Sequence, residues 1–325
     1  MMKKKLRKIL RNTSFLLFAC LLVAEMQAQS TFEAVQSIFE AKCMSCHEGD
    51  YAGGLNMSGT SDDMYNAIFG VTPTNPNAAQ RGDELVKAGR PYKSFLLRKI
   101  NNGLIDAHDA PLNANEGTIM PPPDSGIEPL TNVELETIRQ WIYAGAPQTG
   151  NVVNLNTIET YYTNGGYEPL TRPEAPAEDE GFQIHFGPIF LTTSVEKEFL
   201  LKYDLELAED IEVDRLDLKM NDQSHHFILY KFNGNAANTI DDGVREVSLF
   251  GENPFLVNSS LISTWQNDDD LRLPAGTAFY WDTNTVLDLN YHIPNYSSEL
   301  ILPAGIYLNI YTQPSGTAIK RMKSD

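Results

Sequence analysis

Two thiols three residues apart, with an imidazole directly after the second, occur at Cys43-Met44-Ser45-Cys46-His47. That spacing suits covalent haem attachment: the thiols add to the two vinyl groups, and the adjacent imidazole becomes the proximal ligand to iron. A zinc site would need four ligands, and no second cysteine pair exists. A disulfide-exchange centre should lie in a βαβ pattern, whereas the residues before Cys43 read as a helix. Haem c is therefore the expected cofactor, held by Cys43, Cys46 and His47. A distal ligand is offered by Thr118-Ile119-Met120-Pro121-Pro122-Pro123. The Met120 thioether is a soft donor, and three prolines after it stiffen the loop before any ligand is bound. A core methionine beside a polyproline turn would read the same way, and His108, between two aspartates, is the rival donor. A second group of donors stands at Ser224-His225-His226-Phe227, with His292 the candidate third nitrogen. Adjacent strand residues point to opposite faces, so His225 and His226 can share a metal only at a strand end or bulge. Imidazoles suit copper or zinc. A strand-edge pair without metal is the competing reading.

The elements that must position these groups can be read from periodicity. Ser30 and Glu33 form a capping box, and Phe32, Val35, Ile38 and Phe39 recur at helical spacing ahead of Cys43. Gly53-Gly54-Leu55 predicts a tight turn. Pro91 starts a helix carrying Phe95, Leu96 and Ile100 and ending at Gly103. Thr131 and Glu134 cap a last helix lined by Leu135, Ile138 and Ile142, aromatic-rich through Trp141 and Tyr143, and stopped by Gly145 and Pro147. With its CxxCH, GGL turn, methionine-proline loop and closing WIYAGA helix, the stretch from about 30 to 147 resembles class I type cytochrome c domains of large exported bacterial proteins. The resemblance implies an electron carrier that does no bond chemistry itself.

From Pro147 to Gly181 the periodicity fades among glycines, prolines and Glu178-Asp179-Glu180, which reads as a linker. Beyond it the period becomes two: Phe199, Leu201, Tyr203, Leu205 and Leu207 alternate with polar or outward positions. The alternation slips at Arg215-Leu216, which suggests a bulge. Further strands are expected at 226–232, 277–281, 286–293 and 305–312, with His185 a structural residue on another. A sandwich is the natural architecture.

Gly181-Phe182 through Pro188-Ile189-Phe190, then a charged strand, a polar turn and His225-His226-Phe227-Ile228-Leu229-Tyr230, resemble the copper type II, ascorbate-dependent monooxygenases. That family includes the peptidylglycine α-hydroxylating and dopamine β-monooxygenases. The resemblance spans about 180 to 312 and covers the amino-terminal of the family's two copper domains. It implies that His225 and His226 match the paired histidines of the electron-transfer copper. The family's third histidine precedes a tyrosine. Here Asn290 precedes Tyr291 and His292 follows it, so Asn290 and His292 share a strand face but lie about 6.6 Å apart along it. On that spacing His292 reaches the metal only if the strand or the copper shifts. The family's oxygen-activating copper takes a His-x-His pair and a methionine from the next domain. No His-x-His occurs here and the sequence stops at Asp325, so it reads as lacking that domain or as truncated, and hydroxylation is not expected of it alone.

Length and charge bound the rest. The 325 residues suggest two domains. Six basic residues before Arg11's successor Asn12, an apolar run from Phe15 to Ala24 and a small-residue site at Gln27-Ala28 read as a signal peptide over 1–28, too short to span a bilayer. Its removal takes the formal charge from −18 to about −23 and leaves Cys43 and Cys46 as the cysteines. Such acidity disfavours nucleic acid and anionic lipid as partners. The expected fold is thus an all-α haem domain over 30–150, a linker over 151–180 and an all-β sandwich over 181–325. The expected function is that of a periplasmic or extracellular cytochrome c coupled to a copper-monooxygenase-like domain, served by a redox partner protein or small-molecule reductant. The alternative is a haem electron carrier with a metal-free docking domain.

Overall fold

The computed structural model describes residues 29–49, 53–101, 112–247 and 258–322; the signal-peptide reading and His108 lie outside them. Among the described residues seven α-helices come first. α1 (Thr31–Lys42) starts at the Ser30–Glu33 capping box, and α2 (Met44–His47) follows after Cys43 alone. α3 (Ser61–Ile68) starts at a second box made by Thr60 and Asp63, and α4 (Pro76–Gln80) is capped by Asn75. α5 (Phe95–Ile100), α6 (Asn132–Tyr143) and α7 (Leu155–Asn164) complete the set. α7 lies inside the stretch read as linker, with Asn154 as its cap and Ile158 as its buried anchor. Among the described residues no helix is long and apolar enough to cross a membrane.

Eleven strands follow among the described residues: β1 (Gly181–Leu191), β2 (Val195–Asp204), β3 (Ile211–Met220), β4 (His226–Phe232), β5 (Val244–Glu246), β6 (Ser259–Trp265), β7 (Asp269–Arg272), β8 (Thr277–Trp281), β9 (Val286–Asn295), β10 (Leu302–Pro314) and β11 (Lys320–Met322). One sheet runs β1-β10-β3-β8-β11, with β7 also paired to β3; the other runs β5-β2-β9-β4-β6. All pairings are antiparallel except that of β8 with β11. The period-two pattern sends Phe199, Leu201, Phe227, Leu229, Leu289 and Tyr291 of one sheet and Ile184, Leu216, Leu218, Ile306, Leu308 and Ile310 of the other into one apolar cluster. At the slip in β3, Arg215 pairs Tyr311 while Val213 pairs Thr312, so Asp214 is the bulged residue.

The expectation of an all-α domain followed by an all-β sandwich is not met. Helix makes up 25% of the described residues, and the two sheets make them mostly β. The helical pattern before residue 147 resolves into short pieces, several of one or two turns, with bridges Phe69↔Val86 and Glu84↔Ser94 between them. Nor does this region keep a core to itself. Tyr143 of α6 belongs to the sheet cluster and donates to Gly187 O at 2.7 Å, while Phe190 of β1 packs against the helical cluster. Arg90 lies 4.9 and 4.5 Å from the rings of Tyr92 and Tyr203, one on each side of the junction.

At one point of this junction backbone lies directly against backbone. A Cβ on Gly243 would stand 2.6 Å from Gly145 N, and one on Gly89 would stand 2.6 Å from Gly243 N. All three glycines have φ between 68° and 108°, a region that side chains other than glycine's strain to enter. Gly243→Ala is therefore expected to destabilise the chain by roughly 2–3 kcal/mol, read as a fall in the urea midpoint; an unchanged midpoint would show that the junction is loose. A second expectation concerns Asp288 on β9, 4% exposed and paired with Arg245. Burial pushes its carboxyl up to about 6, with Arg245 pulling only part of the way back. The folded state thus holds this proton more tightly than the unfolded state, so its contribution to stability grows as pH falls from about 6 toward 4. Compared with Asp288→Asn, the wild type should gain up to roughly 3 kcal/mol of relative stability over that window. A wild-type-minus-variant difference that is flat between pH 4 and 7 would contradict it.

Candidate functional site

Cys43, His47 and Met120 line one cleft of about 300 Å³, walled by Leu55, Met57, Leu85, Phe95, Leu96 and Ile100. Cys46 is half-buried on α2, with Ser45 Oγ 3.9 Å from its sulfur. α1 buries Phe32, Val35 and Phe39 and so delivers Cys43 and α2 to the cleft in a fixed orientation. His47 is oriented by the glycine turn. Gly53 and Gly54, at φ 63° and 73°, bring Leu55 O within 3.2 Å of His47 Nδ1. In the tautomer in which Nδ1–H donates to that carbonyl, the Nε2 lone pair is the one left for a ligand.

Met120 is held from the other side. Its N–H donates to Lys99 O at 2.7 Å, and Lys99 Nζ in turn donates to Glu116 O at 3.1 Å and to Thr118 O. Burial pulls the Lys99 ammonium below its usual range, with Glu116 opposing. Beneath this loop lies a buried ion network. Arg98 pairs with Asp83 at 2.8 Å and with Glu116, and Arg81 pairs with the same two carboxylates. Burial raises Glu116, but the Asn113 N–H and both arginines outweigh it and hold the carboxyl below its usual range. The network fastens the residues before Met120 to α5. The donor set of this cleft, an imidazole and a thioether with a thiol between apolar walls, fits a covalently held macrocycle. Disulfide exchange fits less well: burial pushes the Cys43 thiol up to about 12, the opposite of what an attacking thiolate requires.

The second group forms where three strands of one sheet meet. β9 is central, and its register pairs His292 with His226 of β4 on one side and with Glu198 of β2 on the other. His225 precedes β4, so the pleat does not force its ring to the opposite face from His226. The turn that carries it is fixed by Asn221, whose Oδ1 accepts from Tyr291 Oη at 3.2 Å and Gly305 N at 2.7 Å, and by a 2.7 Å bond between Ser224 and Tyr291. His225 N donates to His292 O at 2.9 Å. In consequence the three histidines offer ligand atoms all within 4.8 Å of one another. Two nitrogens each about 2 Å from one ion can be about 4 Å apart at most, so the widest pair must close by roughly 1 Å. His225 Nδ1 and His226 Nδ1 already stand 3.3 Å apart. Burial, then His292, pull the His226 imidazole below its usual value, with Glu198 opposing; the neutral ring is the ligating form.

No protein-family model matches this chain, and no curated protein is similar to it. The reading of both sites therefore rests on their geometry.

The structure corrects one detail of the sequence reading. The spacing that governs His292 runs across β4 and β9 and not along β9, and there it lies directly opposite His226. Asn290, buried on the same face, is engaged elsewhere: its Nδ2 donates to Glu198 Oε1 at 3.1 Å and Phe199 O at 3.2 Å. His185 stacks on Tyr307 at 4.4 Å and stays apart from the cluster. Sequence reasoning missed Glu196 and Glu198. Glu196 Oε1 stands 2.8 Å from His292 Nε2, and Glu198 Oε1 stands 3.5 Å from His226 Nε2. Their i, i+2 spacing at the start of a strand was the available signal.

If the Lys99 contacts hold the Met120 loop, Lys99→Met should cost roughly 1–3 kcal/mol and loosen that loop. Faster amide exchange over residues 116–120, with α1 unchanged, would be the expected outcome; unaltered exchange there would rule the clamp out.

Proposed function

We propose that the chain is an exported electron-transfer protein that holds haem c through Cys43, Cys46, His47 and Met120, and copper through His225, His226 and His292. The observation that carries the haem assignment is the meeting of Cys43, His47 and Met120 in one apolar cleft, with His47 Nδ1 against Leu55 O. When bound there, haem supplies one-electron chemistry. The protein's own residues would set its terms. Leu55 O orients His47 and strengthens it as a donor, Met120 favours the reduced state relative to a second imidazole, and the apolar walls keep water away. For copper, the convergence of three imidazoles at the strand end supports the assignment over a metal-free pair.

Coupling of the two sites is supported by aromatic packing that runs from α6 to β9. Tyr143 on α6 lies 6.4 Å from Phe186, and Phe186 lies 6.2 Å from Tyr291, the neighbour of His292. The electron donor or acceptor outside the chain would be a redox protein or a small-molecule reductant, and the acidic surface favours a basic protein. Hydroxylation is not proposed for this sequence, which has no His-x-His pair to hold a second copper.

The test is metal stoichiometry on protein made with haem-attachment machinery and offered copper. One iron and one copper per chain are expected, with Met120→Ala lowering the haem potential and His226→Ala abolishing tight copper binding. Iron without copper would leave an electron carrier with a docking sheet. Absence of iron would remove the haem reading altogether.

A further inference from the structure

We propose that Glu196 and Glu198 are positioning residues that hold the histidine cluster with its Nδ1 atoms inward, each carboxylate facing one Nε2. The proposal rests on the reading of the cluster as a copper site. β2 alternates strictly here: Phe199 and Leu201 face the core, and Glu196, Glu198 and Leu200 face the other way, toward the side that carries His226 and His292. Glu198 is the direct cross-strand neighbour of His292.

Three contacts converge on one arrangement. His292 Nε2 lies 2.8 Å from Glu196 Oε1. On a neutral ring that contact requires Nε2–H to donate, which leaves the Nδ1 lone pair as the free donor to a metal. His226 Nε2 faces Glu198 Oε1 at 3.5 Å, longer than a formed hydrogen bond but on the same side of the ring. His225 and His226 meet through their Nδ1 atoms, at 3.3 Å. Where the outer nitrogen of a ring faces a carboxylate, the inner one faces the other histidines. Asn290 extends the arrangement by one step, since its amide fixes Glu198 Oε1 at 3.1 Å. Glu198 is the better shielded of the two, its side chain 23% exposed against 50% for Glu196, so its charge is felt more strongly at the cluster. Two carboxylates beside three neutral imidazoles also favour a dication over a monocation, so the oxidised form of copper is the one stabilised.

The full chain would be titrated with Cu(II) by calorimetry against a competing chelator, with paramagnetic resonance spectra and the copper reduction potential recorded on each variant. Glu196→Ala and Glu198→Ala should each weaken Cu(II) binding by about ten- to a hundredfold and alter the copper spectrum. Glu196→Gln can still accept from Nε2–H, so it should recover most of the affinity while the reduction potential rises for want of the charge. Melting of the metal-free variants, expected to match the wild type because both side chains reach solvent, separates positioning from misfolding. If the wild type and His292→Ala bind Cu(II) alike, or neither binds, the copper reading itself fails. If His292→Ala loses copper but both alanine variants at 196 and 198 bind as the wild type does, with unchanged spectra, the positioning role is overturned. It is equally overturned if Glu196→Gln loses as much affinity as Glu196→Ala, because the carboxylate would then be a ligand in its own right.

Discussion

The register of β9 against its two neighbours is the constraint on which the second half of this structure depends. β9 is the middle strand of its sheet, and eight of its ten residues, all but Val286 and His292, are buried between β2 and β4, which leaves little freedom. A slip of one residue would turn Tyr291 and Leu289 outward and His292 into the apolar cluster. The core therefore determines the site: Leu287, Leu289 and Tyr291 can pack with Phe227, Leu229 and Phe199 only in the register that sets His292 opposite His226 and beside Glu198. Tyr291 adds a polar tie, because its hydroxyl reaches the turn from which His225 projects. A single strand thus serves the fold with one face and presents the candidate metal donor His292 on the other.

The cleft around Cys43 and His47 is built on a different principle. Its walls come from short segments with few backbone pairings between them, and their relative placement is fixed by side chains. Arg81, Asp83, Arg98 and Glu116 form a closed set in which every buried charge has an opposite neighbour. Such sets add little net stability over an apolar core, yet removal of one member strands the others in a medium that cannot solvate them. The network's effect is accordingly one of placement. It allows the loop ending in Met120 to have one position on α5, where a purely apolar contact would tolerate several.

Much of this was legible in the sequence, and the failures have physical reasons. Strands 226–232 and 277–281 follow from alternation alone and are found at those bounds, as are the capping boxes at Ser30 and Thr131. The three- and four-residue strands β5, β7 and β11 are too short for a period to show. α7 was hidden because its flanks are rich in glycine, proline and asparagine, which read as a linker even though Asn154 serves as a helix cap. The all-α reading of the first half failed because periodicity reports local conformation and says nothing of how much chain lies between the helices. Periodicity also cannot show that Tyr143 and Phe190 each pack into the other region's core. For the histidines, the types and the strand end could be read. The pairing of His226 with His292 could not, since register is a property of two strands and a core.

This difference in construction bears on how the two sites come into being. Cys43, Cys46 and His47 are neighbours in the chain, so the donors proposed for covalent attachment exist before any tertiary structure does; only Met120 must be brought to them. The histidine cluster has no such local existence. His226 and His292 meet only after β4 and β9 have paired, and Glu196 and Glu198 arrive only when β2 joins them. Non-local pairings of this kind pay their loop-closure entropy before any contact rewards them, and they form late. A metal that needs all three imidazoles then binds the folded sheet and hardly at all the unfolded chain, and by mass action it stabilises the very register that creates its site. A haem held as proposed, tied to a local segment, would gain no such dependence on the sheet. What joins the two is the junction of Gly89, Gly145 and Gly243, where the backbones themselves are in contact and any side chain would force the two halves apart.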